Sequence, residues 1–446
     1  MKKTSDYILD TSREYAIYVC SNRAIPRVTD GLKDGQRKTL WVIRNKTDKI
    51  KTISLAGELI SSNLFLHGDQ SAAQTISMMA GPFCNNTPFL KGIGSFGTKV
   101  SPQSFGAPRY TYVKKNKALE EIMLKDLDIV PLKENYDGST LEPETFLPIV
   151  PTVLLNGISG IAVGWSTDIL PHSLKDLTDA VLAVLDGKSI KRIKPHYDYL
   201  DINVNDLGGS QWEFFGKLER IDHSTIKVKS LPPDLSLEKF RERLDQYEEE
   251  GKINDYVDDS SEEIQIIIKF KRGYLTDKTD QDLIEFLKLK SKKTERIVVL
   301  GFNGDSIKQY ECPEDLVVDF VQWRFGYYIT RYEKMLADDG YEIKYWQGLK
   351  ACFDKNIPNK LVGSKNKQEI VDKISKVTKD LDDKQLDKLA SLPTFRWNDE
   401  YYQEVLKKIS ELEKSIQEYT DILADNNRII DIYKNEVKAL KTLKMS

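Results

Sequence analysis

Between Asn398 and Leu443 apolar side chains return every three or four residues for most of the segment's length, at Tyr402, Val405, Ile409, Leu412, Ile416, Tyr419, Leu423, Ile430, Tyr433, Val437 and Leu440. On a helix of 3.6 residues per turn these positions form one stripe, so the segment has to be a long helix with a partner lying along that stripe. Asn426 falls in the seam, where a buried amide would fix the register of the pairing. A second long helical pattern runs from Pro313 to Phe353, and the lysine-rich stretch between them, Asn356 to Leu392, carries shorter helical patterns. Two long helices bracketing a small insert predict an antiparallel coiled-coil arm with a globular tip, although periodicity alone is equally met by an ordinary helical bundle.

The remaining chain exceeds one compact core. With 446 residues, 40% hydrophobic and 30% charged, two to four domains are expected. No run approaches 18 uninterrupted apolar residues, which excludes a membrane-spanning helix, and the polar start MKKTSDYILD lacks the apolar core of a leader peptide. Cys20, Cys84, Cys312 and Cys352 lie far apart without a CxxC pair, and none of the four histidines has another at i+3 or i+4. Neither a disulfide framework nor a thiolate or histidine metal site is expected; the expectation is a reducing compartment, and cytoplasmic localisation.

A net charge of −3 conceals a strong asymmetry. Through Lys115 there are 17 Lys and Arg against 8 Asp and Glu, a net +9, which leaves −12 for the rest of the chain. Such a basic segment points to a polyanion partner. The first 30 residues read as a helix ended by Pro26; three shorter helical patterns then follow, Gln36 to Ile43, Ile53 to Leu66 and Gln70 to Ala80. Three short helices in a basic segment match a helix-turn-helix type of DNA module.

Further on, Pro108 to Val113 and Thr152 to Leu155 read as strands, and Leu174 to Leu185 as a helix. Residues 200 to 310 have α+β character, with strand patterns at Ser224–Lys229 and Glu263–Phe270 and helical ones at Leu237–Glu250 and Asp280–Leu289. Gly92-Ile-Gly94-Ser-Phe-Gly97 formally matches GxGxxG, but Thr98 to Pro102 cannot open the helix a dinucleotide site requires. A turn-rich hinge is the expectation there, and an oxidoreductase built on it is the weakest functional alternative.

Chemistry is concentrated in the basic segment. Arg23, Lys33, Arg37 and Lys38 stand near Pro26 and Gly31; His67-Gly-Asp69 follows, then Arg109-Tyr110 after the small residues of Ser104 to Pro108. A tyrosine can attack a phosphodiester, but a phenol's ordinary pKa is about 10, so it needs cations, a base or a metal beside it. Arg109, Arg23 and His67 could stabilise the charge that builds on a pentacovalent phosphate. With 21 tyrosines in the chain, spacing alone does not single out Tyr110.

A set of ordered motifs does. Arg23-Ala-Ile-Pro26, Asp30-Gly-Leu-Lys33, Gln36-Arg-Lys38, His67-Gly-Asp69, Gly94-Ser-Phe-Gly97, Ala107-Pro-Arg-Tyr110, Glu134-Asn-Tyr-Asp-Gly138, Pro148 to Gly157 and Gly160-Ile-Ala-Val-Gly-Trp-Ser-Thr167 occur in one line. Their order and approximate spacing resemble the breakage-reunion subunit of type IIA DNA topoisomerases over nearly the whole chain, most of all its T4-like phage branch. The resemblance implies a multidomain α+β fold: an N-terminal arm helix (1–29), a winged-helix domain carrying the nucleophile (30–150), an α/β tower domain (151–312), and a coiled-coil arm (313–446) whose small helical C-gate tip spans about 356–397. It implies that Tyr110 forms a 5′-phosphotyrosyl link, with Arg109, Arg23 and His67 around the scissile phosphate. Lys33, Gln36, Arg37 and Lys38 would lie along the duplex backbone, and Ile161 would wedge between base pairs.

The resemblance also implies partners and cofactors. They are double-stranded DNA, a second copy of the chain within a heterotetramer or larger assembly, and a large subunit with ATPase and Toprim domains that holds ATP and most of the Mg²⁺. If the protein is phage-encoded, the host cytoplasm is its place. No DNA-wrapping domain is recognised, so relaxation, decatenation and unknotting are expected rather than supercoiling. Gln36 and Phe65 depart from gyrase histidines, and Gln70 and Gln74 stand where gyrase carries the serine and acid that anchor fluoroquinolones. A DNA-binding structural dimer that has lost cleavage is the other alternative, and the joint presence of Arg23, His67, Arg109 and Tyr110 argues against it.

Overall fold

A computed structural model of the chain describes residues 4–66, 68–378 and 380–443. They form two compact units, one of Met1–Arg324 with Lys434–Ser446 and the other of Phe325–Tyr433. The first unit opens with helix α1 (Thr4–Tyr18), which widens into a π-helical turn, Val19–Ala24. Helix α2 (Asp34–Ile43), strand β1 (Ile50–Lys51), helices α3 (Thr52–Ser61) and α4 (Asp69–Ala80), and strands β2 (Leu90–Ile93) and β3 (Tyr112–Lys115) follow. The three helices pack on one another, and their Leu40, Ile43, Leu55, Leu59 and Ile76 are fully buried. The strands form an antiparallel sheet in the order β1-β3-β2, with Tyr112 opposite both Lys51 and Ile93.

The strand expected from Pro108 begins only at Tyr112. Pro108 has no N–H for a ladder, and residues 107–110 instead close a turn, with Tyr110 N–H donating to Ala107 O at 2.9 Å. The glycines of the GxGxxG stretch serve turns: Gly94 and Gly97 have φ of +108° and +90°, and a Cβ on Gly97 would lie 2.2 Å from Pro102 O.

Helix α5 (Lys117–Ile122) and the hairpin of β4 (Leu132–Glu134) and β5 (Leu141–Pro143) lead to α6 (Thr152–Leu155). The sequence predicts a strand at this last element. Its four residues are all buried, so no periodicity could distinguish helix from strand, and Thr152 donates its hydroxyl to Asp30 O at 2.8 Å. Next comes a second hairpin, β6 (Ile158–Ile161) with β7 (Ser166–Ile169), and then helix α7 (Leu174–Leu185).

The α+β region contains β8 (Asn203–Gly208), β9 (Gln211–Phe215), β10 (Leu218–Arg220), β11 (Thr225–Val228), α8 (Leu237–Glu249), β12 (Asp255–Asp258), β13 (Ile266–Lys269), α9 (Asp280–Phe286) and β14 (Lys290–Thr294). A four-stranded antiparallel sheet, β10-β11-β13-β12, buries Ile226, Val228, Ile266 and Ile268 against Phe240 and Leu244 of α8 and Leu283 of α9. A three-stranded sheet, β14-β9-β8, lies beside it in sequence, and the hairpin of β15 (Ile297–Leu300) and β16 (Ile307–Tyr310) precedes α10 (Pro313–Asp354).

At 1.5 Å per residue α10 is roughly 60 Å long. In the second unit its later turns run antiparallel to α14 (Asp399–Leu423). Tyr332 meets Tyr419 at 5.8 Å between ring centroids, Glu342 meets Lys408 at 3.7 Å, and Asp354 accepts from the Tyr402 hydroxyl at 2.7 Å. Three short helices, α11 (Ile357–Leu361), α12 (Lys367–Ser375) and α13 (Asp383–Ala390), join them around Leu349, Cys352, Ile374 and Leu389.

The final periodic segment is not one helix. It breaks after Leu423 and restarts as α15 (Asn426–Leu440), because Asp425 Oδ1 accepts from Asn427 N–H at 2.9 Å and nucleates a new first turn. Asn426 is therefore exposed rather than a seam amide, and burial falls on Ile422, Ile429, Tyr433, Val437 and Leu440.

Candidate active site

Tyr110 stands at the end of the 107–110 turn with 71% of its surface exposed. Hydrogen bonds pin the backbone beneath it on two sides. Ile53 N–H donates to Pro108 O at 3.1 Å and Thr52 N–H to Thr111 O at 3.0 Å, while Gly106 N–H donates to Ser95 O at 3.0 Å. The hydroxyls of Thr52 and Thr111 meet at 2.9 Å in a buried contact. Strand β3 begins two residues later, so the first turn of α3 and the sheet together hold an exposed phenol on a fixed backbone. A side chain held this way has little backbone freedom left to lose on meeting a ligand. The guanidinium of Arg109 lies 4.9 Å from the centre of the Tyr110 ring. This cation–π contact holds a positive charge beside the phenol.

Arg23 belongs to the π-helical turn, which ends where Ile25 N–H donates to Cys20 O at 3.2 Å. Such turns are rare, and they recur at functional sites because the wider helix re-aims side chains. The Arg23 guanidinium lies 5.9 Å from the Tyr18 ring. With Lys33, Gln36, Gln74 and Tyr136, Arg23 lines a cleft of about 680 Å³. Arg109 and Tyr110 do not line that cleft.

The other expected residues divide into two groups. Lys33 Nζ donates to Ser159 O at 2.7 Å, and burial lowers its pKa from the ordinary lysine value. Ile161 ends β6 at 87% exposure, beside the exposed Val163 and Trp165, at a turn where Gly164 takes a φ of +78°. An isoleucine this exposed has no packing role in the chain itself.

The fold gives three of the residues expected along the duplex backbone partners within the chain. Arg37 is 5% exposed and holds Asp30 with two bonds, Nε to Oδ2 at 2.6 Å and Nη2 to Oδ1 at 2.8 Å, while Nη2 also donates to Leu32 O at 2.8 Å. Lys38, 8% exposed, bridges Asp34 at 2.9 Å and Glu142 at 3.1 Å. Both cations are neutralised by carboxylates inside the fold and act as braces. Gln36 accepts from Lys33 N–H at 2.9 Å through Oε1 and so caps α2. His67 lies outside the described residues.

Sequence reasoning missed Asp30 as the hub of this region. It is fully buried, and besides Arg37 it accepts from Leu32 N–H at 3.1 Å and Phe146 N–H at 3.0 Å. The signal was present in Asp30-Gly-Leu-Lys33, where an acid beside a left-handed glycine (φ +66°) suggests a turn that a carboxylate closes. A second omission is the buried pair of His172 and Glu295, 3.8 Å apart. Burial depresses the imidazole to about 4 and pushes the carboxyl up to about 8.

Among the described residues no group of three or more His, Cys, Asp and Glu could hold a metal ion. No described helix is long and apolar enough to cross a membrane.

Residues 23–438 match the family model of the DNA gyrase/topoisomerase IV A subunit. The DNA topoisomerase medium subunit of enterobacteria phage T4 is 29% identical over 443 residues, covering 96% of this chain and 96% of that protein. DNA topoisomerase 2-alpha of Gallus gallus is 28% identical over 365 residues, covering 79% of this chain but only 23% of that protein. The DNA-binding, cleavage and re-ligation domain of Plasmodium falciparum topoisomerase II has the same mixed α/β fold, with a TM-score of 0.81 at 24% identity over 96% of this chain and 64% of that one. The chain belongs to the family of DNA gyrase/topoisomerase IV A subunits.

Proposed function

We propose that this chain is the DNA-cleaving and rejoining subunit of an ATP-dependent type II DNA topoisomerase, with Tyr110 as its nucleophile. The observation that carries the reading is the Tyr110 turn itself, an exposed phenol on a backbone pinned by α3 and β3, with a guanidinium 4.9 Å from its ring. In the cleavage step the Tyr110 oxygen bonds to phosphorus as the bond from phosphorus to the 3′ oxygen breaks. The phenolic proton leaves to a base or to solvent, and the departing 3′ oxygen takes one up. The products are a 5′-phosphotyrosyl link and a free 3′-hydroxyl. Because the link conserves the ester, the reverse step reseals the strand without an outside energy source. Arg109 stabilises the charge on the non-bridging oxygens, Arg23 steadies the scissile phosphate, and His67 hydrogen-bonds the 3′ oxygen or a non-bridging one.

The helices α2 to α4 with sheet β1-β3-β2 serve as the winged-helix domain, the sheets of residues 203–294 as the tower, and α10 with α14 and its tip as the coiled-coil arm and exit gate. Ile161 acts as the apolar wedge, trading roughly a few kcal/mol of base unstacking for a bent duplex that meets more protein. Lys33 and Gln36, which line the cleft with Arg23, are the candidates for backbone contacts. Two copies cut the two strands of one duplex and let a second duplex pass, in a heterotetramer or larger assembly of the cytoplasm. Mg²⁺ and ATP are assigned to a large subunit with Toprim and ATPase domains. Among the described residues no group of three or more His, Cys, Asp and Glu side chains fits a metal ion.

The test combines the chain with a Toprim/ATPase partner, Mg²⁺ and end-labelled duplex, trapped with detergent. Protein should be attached to the 5′ ends with wild type and absent with Tyr110→Phe, which removes one oxygen and leaves DNA affinity nearly intact. An adduct that survives Tyr110→Phe overturns the assignment. No adduct despite tight DNA binding would favour a structural DNA-binding dimer.

A further inference from the structure

The wedge hairpin and the turn that carries Arg23 are built against each other with almost no space between them. A Cβ added to Gly160 would lie 2.0 Å from Ala24 O and 2.9 Å from Ala24 C, so only glycine allows this approach of β6 to the π-helical turn. Gly160 immediately precedes the wedge residue Ile161, and Ala24 immediately follows Arg23. Other contacts close the joint. Lys33 Nζ holds Ser159 O at 2.7 Å, and Ala162 packs on a buried cluster of Cys20, Ala24, Ile25, Val298 and Leu300.

Strand β15 ties the two pieces together from behind. Arg296 and Asp168 exchange backbone bonds at 2.9 and 3.0 Å, Val28 N–H donates to Leu300 O at 2.9 Å, and Leu300 N–H donates to Pro26 O at 2.9 Å. The segment just after Arg23 and the strand that returns from the wedge are thus hydrogen-bonded to the same β-strand and the residue that leads into it. Close-packed pieces joined by backbone contacts at several points transmit displacement rather than absorb it.

We propose that Gly160 is a positioning residue for Arg23: the wedge hairpin and the π-helical turn move as one block, so the seating of Ile161 in the duplex sets where the Arg23 guanidinium stands. The inference rests on the roles given above to Ile161 and Arg23. A rigid joint of this kind makes phosphate clamping depend on bending, and an unbent duplex is cut poorly even though Tyr110 stays in place on its own turn.

Gly160→Ala tests this, because a methyl group so close to a backbone oxygen forces the two pieces apart while leaving both side chains intact. Three readouts are needed in the complex with the Toprim/ATPase partner: DNA bending by energy transfer between end-labelled dyes, the yield of 5′ adduct, and its single-turnover rate at saturating DNA. Gly160→Ala should bend DNA as wild type does but cleave about tenfold more slowly, and in an Arg23→Ala background the same change should have almost no further effect, as expected when one residue acts through the other. Full cleavage by Gly160→Ala, loss of bending with it, or multiplication of the two defects in the double variant would each overturn the proposal. If Gly160→Ala does not bind DNA, Val298→Ala, which loosens the buried cluster that seats Ala24 and Ala162 without touching a residue given a DNA role, replaces it in the same cycle with the same expected non-additivity. A wild type that gives no Tyr110 adduct overturns the functional reading, and this inference falls with it; a wild-type adduct with multiplicative defects overturns only the inference.

Discussion

Arg37→Leu separates a brace from a DNA contact. In the fold, Asp30 is fully buried and its two oxygens accept four bonds: two from Arg37, at 2.6 and 2.8 Å, and one each from Leu32 N–H and Phe146 N–H. Leucine removes the first two together with the positive charge that balances the carboxylate. Breaking a buried pair by deleting one partner costs about 3–5 kcal/mol. The two surviving backbone donors keep the carboxylate partly solvated, which places this case near the lower end, about 3 kcal/mol. At a urea dependence of about 3 kcal/mol per molar the unfolding midpoint should fall by about 1 M. Adding Asp30→Asn to the same chain removes the stranded charge and should recover part of that deficit. Duplex affinity, measured against salt concentration, should keep its slope, because giving up one phosphate would reduce the slope by about 0.9. A variant with an unchanged midpoint and a shallower salt slope would refute the reasoning and return Arg37 to the DNA interface.

Two further outcomes follow from other parts of the structure. Unfolded, Glu295 releases its proton near its ordinary value of 4.5, but the folded protein keeps it up to about 8; conversely, unfolded His172 takes a proton below 6.5, while the folded imidazole resists to about 4. The two effects cancel between those ordinary values, and above 6.5 only Glu295 acts, so stability should fall by about 1.4 kcal/mol per pH unit until about pH 8. Glu295→Gln, read by urea midpoints across this range, should flatten that fall, and an unaltered slope would show that other groups cause it. Gln70 and Gln74 are exposed on the first turns of α4 and offer no carboxylate to a metal–water bridge, so ciprofloxacin with Mg²⁺ should leave cleavage near its drug-free level; strong magnesium-dependent stabilisation of the adduct would contradict this.

What the sequence determined by itself was whatever depends on neighbours along the chain. Periodicity located α2, α4, α7, α8 and the long helix α10 to within a few residues, because a helix is specified by contacts three or four residues apart. Motif order carried the family, and the adjacency of Arg109 and Tyr110 is a covalent fact that folding only presents. Where a segment's fate depended on remote partners, the sequence was silent or misleading. The run Thr152–Leu155 is a helix because it is enclosed on all sides, and the periodic C-terminal segment breaks at Asp425 because a local cap competes with the seam. Arg37 and Lys38 look like phosphate ligands in a basic segment, yet Glu142, more than a hundred residues on, takes Lys38, and the buried Asp30 takes Arg37. A charge reads as available until the fold shows which carboxylate lies about 3 Å from it, since burial with a partner, not residue type, decides whether a cation faces solvent. Gly160 is the sharpest case: nothing local requires a glycine there, and only the arrival of Ala24 O, from a segment joined through β15, leaves no room for a side chain.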